Sequence, residues 1–230
     1  MKRGGELRVG ISGWRYPGCR GKFYPKDLPH RRELEYASRI LSSVEINGSF
    51  YSLQLPSSYL LALRKKLGPI LWQLLPNLSW NKERLEEFFE LLPRDTRSAA
   101  KLAKKHNDNL KARAWMKVDA SYPLRYALEV RHESFMTQEF FNLLRKHNIA
   151  FAFADTARKF PYAEDLTSDF IYIRLHGATK LYVSGYNDKL LKWWANRIEH
   201  WRKGKQTRDA KTVGTSHRGG PTSRRFRLLR

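Results

Sequence analysis

Acids, bases and amides stand at the ends of apolar segments in this chain. Val44-Glu-Ile-Asn47, Ile70-Leu-Trp-Gln-Leu74, Tyr126-Ala-Leu-Glu-Val-Arg-His132, Ile149-Ala-Phe-Ala-Phe-Ala-Asp155 and Phe170-Ile-Tyr-Ile-Arg-Leu-His-Gly177 each read as a β-strand. A strand sends alternate side chains to opposite faces. On that parity Val44 and Ile46 oppose Glu45 and Asn47, and Leu128 and Val130 oppose Glu129 and Arg131. Ile171, Ile173 and Leu175 oppose Tyr172, Arg174 and His176, while Gln73 and Asp155 fall near the ends of their strands. A strand buried on both sides is apolar on both. A polar parity of this kind belongs to a parallel strand whose carboxyl end opens onto a site, or to an edge strand with one face in water.

If these side chains meet, their types suit an enzyme pocket. Arg131 and Arg174 would hold a phosphate or carboxylate through forked hydrogen bonds. Glu45, Glu129 or His176 would serve as general acid or base. Asn47, Gln73 and Asp155 complete the polar ligand-binding set. Trp14, Tyr51 and Tyr182, with Tyr16 and Tyr186, follow strand ends and would form an aromatic rim. Glu129, Asp155 and His176 carry donors for a divalent metal, but no metal-ligand spacing compels one, and the sequence does not reveal whether a cofactor is required. The same matched signs equally suit an ion-pair network that only holds the strand ends together. His132, on the opposite parity from Arg131, fits a loop or capping role.

Helices separate these strands. Apolar residues recur at helical spacing from Arg31 to Leu41, from Asn81 to Leu92, from Thr137 to Lys146 and from about Asp188 to Arg202. A further helix is expected from Pro56 to about Leu67. Residues 94–123 read as a more polar insertion. In the last helix Leu191, Trp194, Ile198 and Trp201 form the apolar stripe. Alternating strands and helices imply βα units, a parallel sheet and right-handed crossovers. Ser12-Gly13-Trp14 is not a phosphate-binding glycine turn, so a barrel with its chemistry at the strand carboxyl ends fits better than a nucleotide-binding sheet.

Gly10-Ile-Ser-Gly-Trp-Arg-Tyr-Pro17, Phe23-Tyr24-Pro25, Val44-Glu-Ile-Asn47 with Phe50-Tyr51, Leu71-Trp-Gln-Leu74, Leu128-Glu-Val-Arg-His132, Ala154-Asp155 and Tyr172-Ile-Arg-Leu-His-Gly177 with Leu181-Tyr182 occur in that order. Together they resemble the successive motifs of the YecE-like family, domain of unknown function 72, over roughly residues 7 to 201. The resemblance implies a TIM-barrel-like (β/α) parallel barrel and no particular reaction. The chain departs from the pattern in two places. A strand and helix of the family are missing between Ser58 and Leu67, and its last strand is missing after Arg202. Cys19 and Leu75 replace the usual tryptophan and proline. About six of eight strands remain, near 7–12, 43–47, 70–74, 126–132, 149–155 and 170–176, too few to close the barrel at its normal tilt. The expected fold is therefore an incomplete α/β barrel over residues 1–202, followed by a basic disordered tail, 203–230.

The chain has 230 residues and a formal net charge of +22. From Arg202 to Arg230 it carries ten Lys or Arg against one acid, Asp209, so much of the excess is concentrated there. This favours weak, charge-driven association with nucleic acid over sequence-specific reading. A single cysteine excludes an internal disulfide. No apolar run is long enough to span a bilayer. The N-terminus lacks a secretory pattern, so a cytoplasmic location is expected. Three functions remain open: a pocket for a small anionic ligand, a polyanion-binding protein, and an inactive truncated barrel.

Overall fold

The structure is a computed structural model that describes residues 5–46, 66–104, 118 and 120–214. Asn47, Tyr51, nearly all of the helix expected from Pro56 to Leu67, and residues 215–230 lie outside the described residues. Among the described residues there are six strands, and every strand pair is parallel. β1 (Gly10–Ser12) pairs with β2 (Ser43–Glu45). β3 (Ile70–Gln73), β4 (Tyr126–Glu129), β5 (Ala150–Asp155) and β6 (Tyr172–Leu175) form a second sheet in that order. This four-stranded sheet curls as half a barrel beside the small two-stranded one. Among the described residues the strands do not close a full barrel, and no backbone ladder joins the two sheets.

Among the described residues five α-helices lie between these strands or beside them: α1 (Glu33–Ile40), α2 (Lys82–Leu91), α3 (Thr96–Ala103), α4 (Gln138–His147) and α5 (Asp188–Arg202). Short polar side chains start four of them by accepting an otherwise unpaired backbone N–H. Asn81 accepts from Arg84 N, Asp95 from Ser98 N, Thr137 from Phe140 N and Asn187 from Leu190 N. α4 stops at Asn148, which takes the left-handed conformation at φ 52°.

The strand parity read from the sequence divides the core in two. Tyr126, Leu128 and Val130 of the β4 segment, with Phe151 and Phe153 of β5, pack outward against Phe140, Phe141, Phe89, Trp194 and Trp201 of the helices. Each buried phenylalanine there contributes about 1.5–3 kcal/mol of burial. Ala127, Ala150 and Phe170, with Leu71 and Tyr172, form a smaller inner cluster. Inside the curl, therefore, β5 presents only alanine methyl groups.

Two expectations need correction. Leu191 is 47 % exposed, whereas Arg197 is buried, so the inward stripe of α5 is Trp194, Arg197, Ile198 and Trp201. The cause is polar: Arg197 forms ion pairs with Glu164 and Asp209 and stacks over the Trp193 ring. Leu175 is likewise exposed, although Ile171 and Ile173 join the core. Residues 203–214, assigned to the tail by their low hydropathy, fold back on the loop after β5. Glu164 N donates to Lys211 O, Gln206 Nε2 donates to Glu164 O, and Asp165 accepts from Val213 N and Gly214 N.

Candidate site at the strand carboxyl ends

Register makes the first contacts. Same-face side chains of neighbouring parallel strands lie side by side. Ser12 stands beside Glu45 and Gln73 beside Glu129. Ser12 Oγ accordingly donates to Glu45 Oε1 at 2.7 Å, and Gln73 Nε2 to Glu129 Oε1 at 2.8 Å. On the next pair of strands Ala154 stands beside Arg174. The alanine leaves room above β5, and the guanidinium of β6 extends over it to β4. Arg174 Nη1 donates to Glu129 Oε2 at 2.5 Å and Nη2 to Glu45 Oε1 at 2.8 Å. Tyr172 Oη completes Glu45 by donating to Oε2 at 2.7 Å, and Arg131 Nε reaches Glu129 Oε1 at 3.3 Å. One arginine thus bridges carboxylates on two separate sheets, and every oxygen of both carboxylates accepts a hydrogen bond.

This environment sets the charges. Burial pushes the Glu45 carboxyl up, but Arg174 and the hydroxyls of Tyr172 and Ser12 outweigh it and hold it below its ordinary range. Burial opposes the Arg174 charge, yet Glu129 and Glu45 raise its pKa further. Burial and then Glu45 push the Tyr172 hydroxyl up. His176 is depressed, first by burial and then by the Arg174 charge, so its imidazole is neutral near pH 7.

His176 is fixed by its backbone: its N–H donates to Asp155 O at 2.9 Å, and its carbonyl accepts from Tyr182 N at 2.6 Å. Its ring meets the Tyr182 ring edge-on, centroids 5.1 Å apart. Gly177, at φ 126°, makes the turn between them, where a Cβ would lie 2.5 Å from Lys180 O. His176 Nε2 is buried with no hydrogen-bond partner among the described residues, and so is Arg174 Nε. Buried polar nitrogens seldom lack a partner. These two lie on residues of the same inward parity.

The other expected site residues are placed as follows. Asp155 accepts from Tyr186 Oη at 2.9 Å, and that oxygen accepts from Gly177 N at 3.2 Å, so Asp155 fixes the loop after β6 and makes no ion pair with the arginines among the described residues. Arg131 spends only Nε on Glu129; its guanidinium lies 4.9 Å from the Phe160 ring centroid. Trp14 contributes a carbonyl, which accepts from Tyr24 Oη. Tyr182 is 65 % exposed at the rim. His132 caps a short 3-10 turn, Glu133–Phe135, by accepting from Ser134 N. Ser12, Tyr172 and Phe160 stand outside the site set expected from the sequence, although strand parity sets Tyr172 with Arg174 and His176; Tyr186, expected at the aromatic rim, holds Asp155. Among the described residues no cluster of His, Cys, Asp and Glu is arranged to hold a metal ion, and no helix is long and apolar enough to cross a membrane. A shallow depression of about 370 Å³ between Phe23, Tyr24, Lys26 and Tyr36 is lined by none of the network residues.

A curled parallel sheet with polar side chains converging at its carboxyl ends defines a mixed α/β protein built on a half-barrel sheet. The model of the family described as protein of unknown function DUF72 matches residues 8–61 and 57–218, and the chain belongs to that family. The two segments overlap at the point where the sequence departs from the family pattern. A DUF72 family protein of Thermotoga maritima, TM1631, matches in structure with a TM-score of 0.60 at 19 % identity, covering 86 % of this chain and 88 % of the other. A second, EF0366 of Enterococcus faecalis, matches with a TM-score of 0.40 at 14 % identity, over 70 % of this chain and 63 % of the other. No curated protein matches.

Proposed function

We propose that the carboxyl ends of β4 to β6 form a pocket for a small anionic ligand, with His176 as the group that accepts or returns a proton. The observation that carries this reading is the buried, unpartnered Nε2 of a neutral His176 beside two carboxylates whose oxygens are all engaged. Glu45 and Glu129 are poor candidates for proton transfer, because all four of their oxygens are engaged. Their role is to hold Arg174, and Arg174 in turn is committed to them rather than to a ligand. The anion contact passes to Arg131, whose two Nη groups donate to nothing among the described residues.

The test is a thermal-shift panel of small phosphates and carboxylates on the wild type, Arg131→Gln and His176→Gln. A ligand that stabilises the wild type should lose its effect in Arg131→Gln, while any turnover should disappear in His176→Gln with binding retained. A panel with no stabilising compound, or a response that Arg131→Gln leaves intact, would overturn the reading.

A further inference from the structure

The loop after β5 brings a second cation to the aromatic ring that Arg131 faces. Lys159 N donates to Thr156 O and Phe160 N to Thr156 Oγ1, each at 3.1 Å, and Thr156 itself is buried. Between these anchors Ala157 and Arg158 take left-handed φ values of 52° and 65°. Such conformations cost energy in non-glycine residues and persist where the surroundings fix them. Their effect is to turn Phe160 toward Arg131. The Phe160 ring then carries two cations, with Arg131 Cζ 4.9 Å and Lys159 Nζ 5.7 Å from its centroid. Arg131 is only partly spent on Glu129, and Lys159 is exposed with no acidic partner among the described residues. Two cations sharing one ring repel unless an anion lies between or above them.

We infer that Arg131 and Lys159 form a two-cation clamp for a phosphate group, and that the anionic ligand of this site is a phosphate ester whose organic part lies toward Phe160 and Tyr182. This rests on the pocket proposed above and adds its substrate class. A planar guanidinium grips two oxygens of an oxyanion, while an ammonium acts as a point charge on a third. A phosphate dianion has a charge and an oxygen for each of them, whereas a monocarboxylate fills the arginine alone. The aromatic faces are there for the remainder of the ligand: the Tyr182 ring is exposed and Phe160 half-buried.

The experiment measures binding of phenyl phosphate and benzoate to the full chain by ligand-observed NMR at low ionic strength, in the wild type, Lys159→Ala, Arg131→Gln and Lys205→Ala. Lys205 is an exposed lysine of the C-terminal segment and controls for diffuse attraction to a basic protein. The expected result is that phenyl phosphate binds more tightly than benzoate. Lys159→Ala should weaken phenyl phosphate about tenfold, and Lys205→Ala should leave it unchanged. Equal binding of the two ligands, or an undiminished phosphate affinity in Lys159→Ala, overturns the clamp. If benzoate binding still depends on Arg131, the pocket survives that failure. If neither ligand binds the wild type, the pocket falls with the clamp. Lys159 is exposed, so its removal should leave the folded circular dichroism spectrum unchanged.

Discussion

Arg174 Nη2 lies 2.8 Å from Glu45 Oε1, joining two residues 129 positions apart on two sheets that share no ladder among the described residues. The other arm of the same guanidinium holds Glu129. The bridge ties the β1–β2 pair to the half barrel, and both of its ends are largely sheltered from water. Replacing Arg174 by methionine should cost roughly 3–5 kcal/mol, because it strands buried carboxylates. Urea unfolding measures this. Arg174→Met combined with Glu45→Gln should recover part of the loss, since one stranded charge is gone. A single variant as stable as the wild type would mean that the bridge contributes nothing to the fold.

Ala154 makes that bridge sterically feasible. It stands beside Arg174 in the register and is buried, so leucine there would occupy the path from β6 to β4. Overpacking should cost about 1–3 kcal/mol. The sharper readout is coupling. In the Ala154→Leu background the further effect of Arg174→Met should shrink, because the contact is already broken. Additive effects would show that the guanidinium takes another route.

Much of this arrangement was legible beforehand, for a specific reason. Parity is local, so Glu45, Glu129, Arg131, Arg174 and His176 could be assigned to one face from a few neighbours each. The six parallel strands followed from alternation with helices. What parity does not encode is which partner each charge takes. Arg174 reads as a ligand clamp in the sequence because nothing there shows that two carboxylates occupy both of its Nη groups. The alternating alanines of β5 were visible too, but they gain meaning only once β4 and β6 flank them. Nothing within α5 marks Arg197 as an inward residue, since its partners Glu164 and Asp209 lie outside the helix.

Acid should weaken the fold in two separate windows. The folded pKa of His176 lies below its ordinary 6.5, so the unfolded chain binds the proton more readily. Stability is then full above pH 6.5 and declines as the pH falls from there toward the folded value. The Glu45 carboxyl is also depressed, below 4.5, but here the charged form is the stabilised one. Its contribution is present above pH 4.5 and is lost as the pH falls through the folded value. His176→Gln should flatten the upper part of the stability–pH curve, and Glu45→Gln the lower part. Chemical denaturation from pH 7.5 to 3.5 reads both. An unchanged upper slope in His176→Gln would mean that the imidazole does not titrate as its surroundings require.

The segment after α5 should behave as part of the fold. Asp165 is buried and accepts from Val213 N at 2.8 Å, Gly214 N at 3.0 Å and Arg145 Nη2 at 3.0 Å. Arg197, buried on α5, pairs with Asp209 at 2.8 Å and donates to Thr207. Ending the chain at Arg202 would leave Asp165 with a single donor and Arg197 with Glu164 alone. Buried charges that keep one ionic partner but lose their other hydrogen bonds each cost about 1–3 kcal/mol, so the truncated chain should lose roughly 3 kcal/mol in urea unfolding. A point change tests the same contact without removing chain. A Cβ at position 214 would lie 2.7 Å from Asp165 Oδ1, so Gly214→Ala must displace the carboxylate or the backbone that it holds. Its expected cost is about 1–3 kcal/mol, the penalty for leaving buried hydrogen-bonding groups unmatched. Asp165→Asn should cost a similar amount, and the double variant little more than either alone, because both act on one contact. If the truncated chain unfolds at the wild-type midpoint, residues 203–214 pack without holding anything in place.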